Sequence, residues 1–236
     1  MESEFERIQG LEDIGEVLML VRDFARDLGV KRQSYHFTPV MESPISARTV
    51  IYSEGFPDEW LALYNEKSFR LNDPIPERTM RHGEAISWAD AMALAPNTSA
   101  QQECFASMRE HGLIHGFGIP LFGSGGREAY ASMDFDLPPA EVASSDRSAI
   151  IAVSQAAQMR VSRLLIRLNT RPSLSERELQ VLGWIVRGKS VGEIGTILGL
   201  SPETVRTYSK RVYEKMGTHN RIGAIVRALK LNLVRF

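Results

Sequence analysis

The C-terminal part of the chain carries a series of helix start and stop signals that limits what it can fold into. Each start has a serine whose side chain can accept a hydrogen bond from the backbone at the head of a helix. The starts are Ser175, Ser190 and Ser201, and glycines able to end a helix follow at Gly188, Gly199 and Gly217. Glu178 and Glu193 complete two capping boxes, and Pro202 suits a first helical position. With a fourth segment at 221–231, these signals predict an all-α module of four helices.

The second and third of these helices meet at Gly199-Leu200, which is typical of a helix-turn-helix. An apolar seam of Ile194, Ile197, Leu198, Leu200, Val205 and Val212 is predicted between them. The third helix then turns polar and basic residues outward: Thr204, Arg206, Thr207, Lys210 and Arg211. Arg and Lys on such a helix can reach guanine in the major groove. Thr204 and Lys189 are better suited to phosphate. A basic helix on its own is more often a solvated face.

The charge is unevenly distributed along the chain. The 236 residues hold 28 Lys and Arg against 29 Asp and Glu, a net charge of −1. Residues 170–236 contain 12 Lys and Arg and five Glu but no Asp, which is a balance of +7. The residues before them carry −8. The asymmetry indicates two modules with different partners, of which the second suits nucleic acid.

Helical and β-like segments alternate irregularly through the N-terminal part. Apolar periodicity predicts helices at 11–28, 57–69, 74–82, 100–111 and 145–168, and alternation predicts strands at 34–40, 48–53, 116–122 and 129–135. We therefore predict an α+β fold, an N-terminal α/β/α sandwich with an antiparallel sheet followed by the four-helix module. The polar, proline-containing segment 169–174 is interpreted as a linker between domains at 1–168 and 175–236.

Several other classes of protein are disfavoured. The single cysteine, Cys104, cannot form a disulfide within the chain, which suits a cytoplasmic protein. No apolar run is long enough to span a membrane, and the acidic N-terminus is unlike a signal peptide. His111 and His115 are spaced like zinc ligands on a helix, but Gly112 and Gly116 interrupt the segment and no third ligand follows. With no activated nucleophile recognised either, we predict neither a metal site, a cofactor nor an enzyme.

The C-terminal module closely resembles the LuxR-type helix-turn-helix. The resemblance rests on LSERELQVL at 174–182, GKSVGEI at 188–194, LSPETVR at 200–206 and KMGTHNR at 215–221. It implies that the third helix reads double-stranded DNA and that the fourth dimerises. Two positions depart from the pattern, because Arg206 replaces a usual lysine and Tyr208 a usual histidine.

The N-terminal module resembles the acyl-homoserine-lactone-binding domain of quorum-sensing LuxR regulators. The residues that carry this resemblance are PDEWLALY at 57–64, Asn72-Asp73-Pro74, Trp88 and HGFGIP at 115–120. The resemblance implies that Asp73 accepts from the ligand amide N–H and that the Trp60 indole donates to the lactone carbonyl. It also implies that the ring of Tyr64 lines the part of the pocket that holds the acyl chain. Trp88 would pack over the lactone ring, and Ser132 would bond near the acyl carbonyl.

One ligand position departs from the family pattern. Phe56 stands where a tyrosine usually donates to the acyl carbonyl, so that bond falls to Ser132, Tyr52 or a water, or the ligand differs. Tyr52 and Tyr130 are predicted to line the pocket and to shorten its acyl end. The expected function is a ligand-responsive transcription regulator that binds a pseudo-palindromic operator as a homodimer; a contact with RNA polymerase stays open. The alternative is a LuxR-type regulator that acts without lactone or answers another small molecule.

Overall fold

A computed structural model describes residues 3–39, 48–66, 69–168, 172–231 and 233–234. No helix within these ranges combines the length and apolar character needed to cross a bilayer. The chain divides into two compact units, residues 1–164 and residues 165–236. Residues 169–171 of the predicted linker lie outside the described residues, and the exact domain boundaries stay a prediction.

The first unit contains eight helices and five strands within its described residues. The helices are α1 (Glu4–Gly10), α2 (Ile14–Asp27), α3 (Asp58–Glu66), α4 (Phe69–Asn72), α5 (Ile75–His82), α6 (Trp88–Ala93), α7 (Ser99–Glu110) and α8 (Ser144–Leu168). The strands are β1 (Arg32–Phe37), β2 (Val50–Glu54), β3 (Ile86–Ser87), β4 (His115–Gly123) and β5 (Arg127–Phe135).

All five strands form one antiparallel sheet in the order β2-β1-β5-β4-β3. The hairpin between β4 and β5 turns at Gly125 and Gly126, both at positive φ, where a side chain is disfavoured. The register of the central strands is seen at Ser132 of β5, which lies across from Ser34 of β1 on one side and from Gly118 of β4 on the other. Because side chains alternate between faces, this register decides which residues face each helical layer.

Helices cover both faces of the sheet. On one face, the side-chain amide of Gln33 donates to the carbonyl of Arg22 in α2, and Gln158 of α8 donates to the carbonyl of Arg127. On the other face, Thr79 of α5 lies beside Gly118 of β4. This three-layer arrangement of an antiparallel sheet between helices confirms the predicted fold class of the N-terminal part.

Some predicted elements differ from those observed. The helix expected at 11–28 begins at Ile14, because Asp13 caps it by accepting from the Glu16 N–H. The segment 57–69 holds α3 and the start of a separate short helix, α4. Strand β3 and helix α6 were not predicted, because two residues of strand and six of helix are too short for a periodic signal.

The second unit is helical throughout its described residues: α9 (Glu176–Val186), α10 (Val191–Leu198), α11 (Pro202–Lys215) and α12 (Arg221–Lys230). The capping boxes at Ser175 and Ser190 and the cap at Ser201 are all formed. Leu198 and Leu200 pack on a core of Val181, Ile185, Ile194 and Val205, whereas Val212 joins a second cluster beside α12. Ile197 is exposed and does not belong to the predicted seam. The four helices confirm the predicted all-α module.

Candidate functional site

A cavity of about 230 Å³ lies in the first unit between the sheet and helices α3 to α7. Its helical wall is largely aromatic and aliphatic, and its sheet wall is largely polar. The helix and loop residues are Phe56, Trp60, Leu61, Tyr64, Asn65, Arg70, Asp73, Ile75, Trp88, Met108 and Leu113. The strand residues are Ser34, His36, Ile51, Ser53, Tyr130 and Ser132. Enclosure by apolar groups with a few convergent polar ones is typical of a small-molecule site.

Asp73 is the acidic residue of this cavity, and its two oxygens have different partners. Oδ1 accepts from the N–H of Ile75 at 2.9 Å and so holds the entry to α5. Oδ2 accepts from the hydroxyl of Tyr64 at 3.1 Å. Burial raises the pKa of Asp73 to about 6, although these hydrogen bonds and nearby Arg78 act to lower it. The carboxylate is thus poised to accept a further hydrogen bond that would favour its charged form.

Trp60 and Tyr64 present one face of α3 to the cavity because they are four residues apart on a helix. Their ring centroids are 5.4 Å apart, and Trp60 also contacts Phe69 and His111. Burial, and then the charge of Asp73, raises the pKa of Tyr64 well above its usual value, so its hydroxyl stays protonated and donates to Asp73. These contacts fix the orientation of the Trp60 indole.

Trp88 is the first residue of α6 and lies over the sheet at strand β4. A Cβ on Gly116 would overlap the Trp88 indole, so this position needs glycine for the indole to approach the sheet. A Cβ on Gly118 would stand 2.6 Å from both Thr79 and Tyr130. The two glycines of the HGFGIP motif therefore make room for the cavity wall.

The sheet wall corrects one sequence-based placement. Ile51 and Ser53 of β2 line the cavity, and by alternation Tyr52 between them faces the opposite layer, where it lies across from buried Tyr35. Tyr52 therefore does not line the cavity, in contrast to the prediction. Phe56, Trp60, Tyr64, Asp73, Trp88 and Ser132 all line it, as does Tyr130.

The candidate nucleic-acid interface is the exposed face of α11. Arg206, Thr207, Lys210 and Arg211 are all exposed there. Arg206 pairs with Glu203 at 3.0 Å, and Lys210 lies 4.0 Å from Glu214. Such exposed pairs are weak, on the order of 0–1 kcal/mol, so both cations can exchange partners.

The two residues assigned to phosphate lie apart from the centre of this face. Thr204 is half-buried in the first turn of α11, and its hydroxyl is 2.8 Å from that of Ser201. Lys189 precedes α10 and pairs with Glu193 at 2.9 Å, while its carbonyl accepts from Arg221 at 2.8 Å. The structure places both at helix starts, where backbone N–H groups also point outward.

Two family descriptions match the chain. Residues 13–161 match the autoinducer binding domain, and residues 172–228 match the bacterial regulatory proteins of the luxR family. Each range contains one of the two sites described above. The chain belongs to the LuxR family of quorum-sensing transcriptional regulators.

Individual LuxR-family proteins are similar over most of the chain. RpaR of Rhodopseudomonas palustris, a quorum sensing-dependent transcriptional regulator, is 32% identical over 187 residues, which cover 78% of this chain and 74% of RpaR. The crystal structure of Escherichia coli SdiA has a TM-score of 0.75 at 22% identity and covers 98% of this chain and 95% of SdiA. SdiA is also known in complex with octanoyl-rac-glycerol, with a TM-score of 0.73, 21% identity and coverage of 98% and 94%. The SdiA structures confirm the fold.

The histidines and the cysteine do not form a metal centre within the described residues, where no group of three potential metal ligands occurs. His111 Nδ1 is 2.8 Å from the carbonyl of Ser107 and its ring packs on Trp60. Cys104 is buried in the core beside the cavity, and burial raises the pKa of its thiol. LuxR-family members are transcriptional regulators, and these residues have packing partners that account for them.

Sequence reasoning missed the contribution of β1 to the site and assigned that of β2 to Tyr52 instead of Ile51 and Ser53. Ser34, His36 and Ser53 line the cavity, but a short strand with buried polar residues looks like an ordinary amphipathic strand until its neighbours are known. The available signal was the polar character of alternate residues on β1 and β5, since Ser34, His36 and Ser132 share one face. Arg70 of α4 was missed because no motif contains it.

Proposed function

We propose that this LuxR-family regulator binds an N-acyl-homoserine lactone in the cavity and binds a pseudo-palindromic DNA operator as a homodimer. The observation that carries the first part is the convergence of Trp60, Tyr64, Asp73 and Trp88 on one small cavity. An amide N–H of the ligand would donate to Asp73, and the Trp60 indole would donate to the lactone carbonyl. Each such bond contributes roughly 1–3 kcal/mol.

The cavity volume favours a short acyl group. About 230 Å³ is less than the roughly 300–1,000 Å³ of cavities that hold drug-sized ligands. Tyr130 closes part of the sheet wall and is itself buried. Tightest binding of chains with about twelve carbons or more would contradict a short acyl group, because their tails would have to displace this wall.

The DNA-binding part is supported by the helix-turn-helix unit and its charge. Arg206 and Lys210 would reach base edges, Thr207 and Arg211 would flank them, and Thr204 and Lys189 would contact phosphate. Dimerisation through α8 and α12 is supported by Ile222, which is 74% exposed on α12. Half-sites would then lie about one helical turn apart.

The proposed domain limits are residues 1–168 for ligand, 169–174 for the linker and 175–236 for DNA. A protein with this role acts where DNA is, so we propose a cytoplasmic location, no membrane partner and no catalytic activity. A contact with RNA polymerase stays a prediction.

Mass spectrometry tests the ligand assignment. The full chain is expressed with a mixture of acyl-homoserine lactones, purified, and extracted with organic solvent. We expect one lactone or a narrow set to be recovered in near-stoichiometric amount from the wild type and to be depleted at least tenfold in Trp60→Phe. Recovery of no lactone from soluble, folded wild-type protein would contradict the proposal.

A second candidate function is supported by Phe56, which lacks the hydroxyl that would bind the acyl carbonyl. The regulator would then respond to a ligand other than a lactone, or would act without any ligand. SdiA, which has the same fold, is known in complex with octanoyl-rac-glycerol. Soluble yield and DNA affinity measured with and without added lactones separate the candidates. Equal yields and unchanged DNA affinity would favour the second candidate.

A further inference from the structure

Strand β4 forms part of the sheet edge, although it is not the outermost strand. Its outer neighbour β3 has only two residues, Ile86 and Ser87, which pair with Gly118 and Phe117. The rest of β4, as far as Gly123, runs on past β3 and pairs with β5 alone among the described strands. Main-chain N–H and C=O groups at a sheet edge can pair with another chain. A further strand could therefore add to this part of β4.

The main-chain groups of Phe122 point outward at this edge. Phe122 lies across from Glu128 of β5. The carbonyl of Glu128 accepts from the N–H of Thr38, on the β1 side of β5, and so faces away from β4. Opposite residues of an antiparallel ladder either exchange both hydrogen bonds or exchange neither, so Phe122 and Glu128 exchange neither. The N–H and the C=O of Phe122 therefore both face away from β5.

A side chain of helix α8 binds both of these groups. Oε1 of Gln155 accepts from the Phe122 N–H at 3.1 Å, and Nε2 of Gln155 donates to the Phe122 carbonyl at 2.5 Å. A side-chain amide carries an acceptor and a donor, the same two functions that a residue of a paired strand offers to its opposite neighbour. Gln155 therefore occupies the place of the residue that a neighbouring strand would set across from Phe122.

The neighbouring outward position makes Phe122 the centre of any added pairing. Alternation gives Pro120 the same orientation as Phe122, but proline has a C=O and no N–H to offer. Phe122 offers both groups. Its side chain is also 46% exposed, so a strand paired there would cover apolar surface.

We propose that Gln155 caps the β4 edge, and that the capped edge is a latent pairing surface for β4 of a second copy of this chain. Two copies related by a two-fold axis would pair antiparallel, with Phe122 across from the partner's Phe122. Each Phe122 would then exchange with its counterpart the two bonds that it makes with Gln155. This surface is separate from the dimer proposed through α8 and α12, and the inference does not depend on the ligand.

Disulfide trapping in the full chain tests the cap. Residues that exchange both bonds in an antiparallel pair have Cα atoms about 5.5 Å apart, which a disulfide can span. Under mild oxidation, Phe122→Cys/Gln155→Met should form a linked dimer at least about tenfold faster than Phe122→Cys alone, because methionine keeps the side-chain length but cannot replace either hydrogen bond. Peptide mapping identifies the linked residues, and Cys104 is buried.

One control tests the register of the pairing. Ser124 is exposed just beyond the end of β4. In the proposed register it lies across from the partner's Pro120, and the two Ser124 residues are roughly 14 Å apart along the strands. Ser124→Cys/Gln155→Met should therefore link no faster than Ser124→Cys alone.

A second control tests the position on the helix. Gln158 of α8 donates at 2.9 Å to the carbonyl of Arg127 in β5, not to the β4 edge. Phe122→Cys/Gln158→Met should therefore link at the rate of Phe122→Cys alone.

Circular dichroism checks that each variant is folded, and Gln155→Ala repeats the test if Gln155→Met is not. Faster linkage at position 122 that requires the loss of Gln155 and is absent at position 124 would support the inference. Equal rates at position 122 with and without Gln155, or equal acceleration at positions 122 and 124, would overturn it.

Discussion

The hydroxyl of Tyr64 in α3 donates at 3.1 Å to Oδ2 of Asp73, which lies in the turn that joins α4 to α5. The backbone N–H of Ile75 holds the other oxygen at 2.9 Å. The two donors orient a buried carboxylate but do not compensate fully for its burial, since its pKa is raised to about 6. Asp73 therefore carries a stability cost at neutral pH that a donating ligand would reduce.

Asp73→Asn is expected to make the ligand-free chain more stable and to weaken its lactone binding. The folded pKa of about 6 lies above the value of 3.8 for an unperturbed aspartate. For an acid with a raised pKa, stability falls as pH rises through this window, because the unfolded chain loses its proton first. The variant should raise the free energy of unfolding of the ligand-free chain by about 1–3 kcal/mol at pH 7.5 and by less at pH 4.

Lactone affinity of Asp73→Asn should fall at least tenfold, because an amide accepts the ligand N–H less strongly than a carboxylate. Urea unfolding and calorimetry measure the two effects. Asp58→Asn, at an exposed position in the first turn of α3, serves as the matched control and should change neither quantity appreciably. A less stable Asp73→Asn protein would contradict the stated cost of the buried charge.

Lactone affinity is expected to depend on pH, because the charge of the Asp73 carboxylate changes with pH. Below about pH 6 the protonated Asp73 no longer offers a charged acceptor, so affinity should weaken toward tenfold per pH unit. Tyr64→Phe removes a donor to the charged form, which should move the midpoint of this profile to higher pH. Tyr52→Phe is the control, because Tyr52 faces away from the cavity. A profile that is flat between pH 5 and 7.5 would contradict the role of Asp73.

Gly116→Ala is expected to displace Trp88. Its Cβ would occupy the space of the indole, which is only 3% exposed and has little room to shift. We expect at least tenfold weaker lactone binding and a loss of about 1–3 kcal/mol of stability, the usual cost of overpacking. Gly10→Ala, at the end of α1 with open space around its Cβ position, is the control. Lactone titration and thermal unfolding of both variants test the prediction.

The sequence predicted the helical unit more completely than the sheet unit because its signals are local. The signals that start these helices are the cap serines and the residues of the first turn after them. The caps at Ser175, Ser190 and Ser201 are all present. The cavity depends instead on contacts between distant residues. Trp60, Asp73 and Trp88 were found through motifs, whereas the pairing of Ser34 with Ser53 and Ser132 is a matter of strand register. The error at Tyr52 has the same origin, because a shift of one residue exchanges the two faces of a strand.

Lys215→Met is expected to destabilise the helical unit through Glu178. Lys215 Nζ is 2.7 Å from Glu178 Oε2, which also accepts from the Ser175 N–H at 2.7 Å. Burial acts to raise the pKa of Glu178, but the bonds from Lys215 and Ser175 outweigh it and the pKa is lowered. The stabilisation is therefore present above the unfolded pKa near 4.5 and is lost as pH falls through the folded value.

The loss in Lys215→Met should be about 1–3 kcal/mol at pH 7 and should shrink toward pH 3. Urea unfolding of the full chain carrying Trp60→Phe and Trp88→Phe, which leaves Trp184 in α9 as the remaining tryptophan, measures it by fluorescence. Lys210→Met is the control, because Lys210 is exposed and its 4.0 Å separation from Glu214 makes a weak ion pair. Equal losses at pH 7 and pH 3 would show that lost packing, rather than the ion pair, is responsible.

Arg206→Ala and Lys210→Ala are expected to weaken operator binding more than binding to random DNA. Both side chains are exposed on α11, and each contact to a guanine edge contributes about 1–3 kcal/mol of discrimination.

Arg177→Ala, an exposed arginine on α9, removes the same charge outside the proposed interface and should affect both DNAs equally and weakly. Glu203→Gln should strengthen binding slightly, because it releases Arg206 from its 3.0 Å pair and removes a negative charge from the proposed interface. Titrations at several salt concentrations separate the two roles: loss of a phosphate contact lowers the slope of log affinity against log salt by about one, whereas loss of a base contact changes the ratio between operator and random DNA. Equal losses on both DNAs in Arg206→Ala and Lys210→Ala would contradict base reading by this helix.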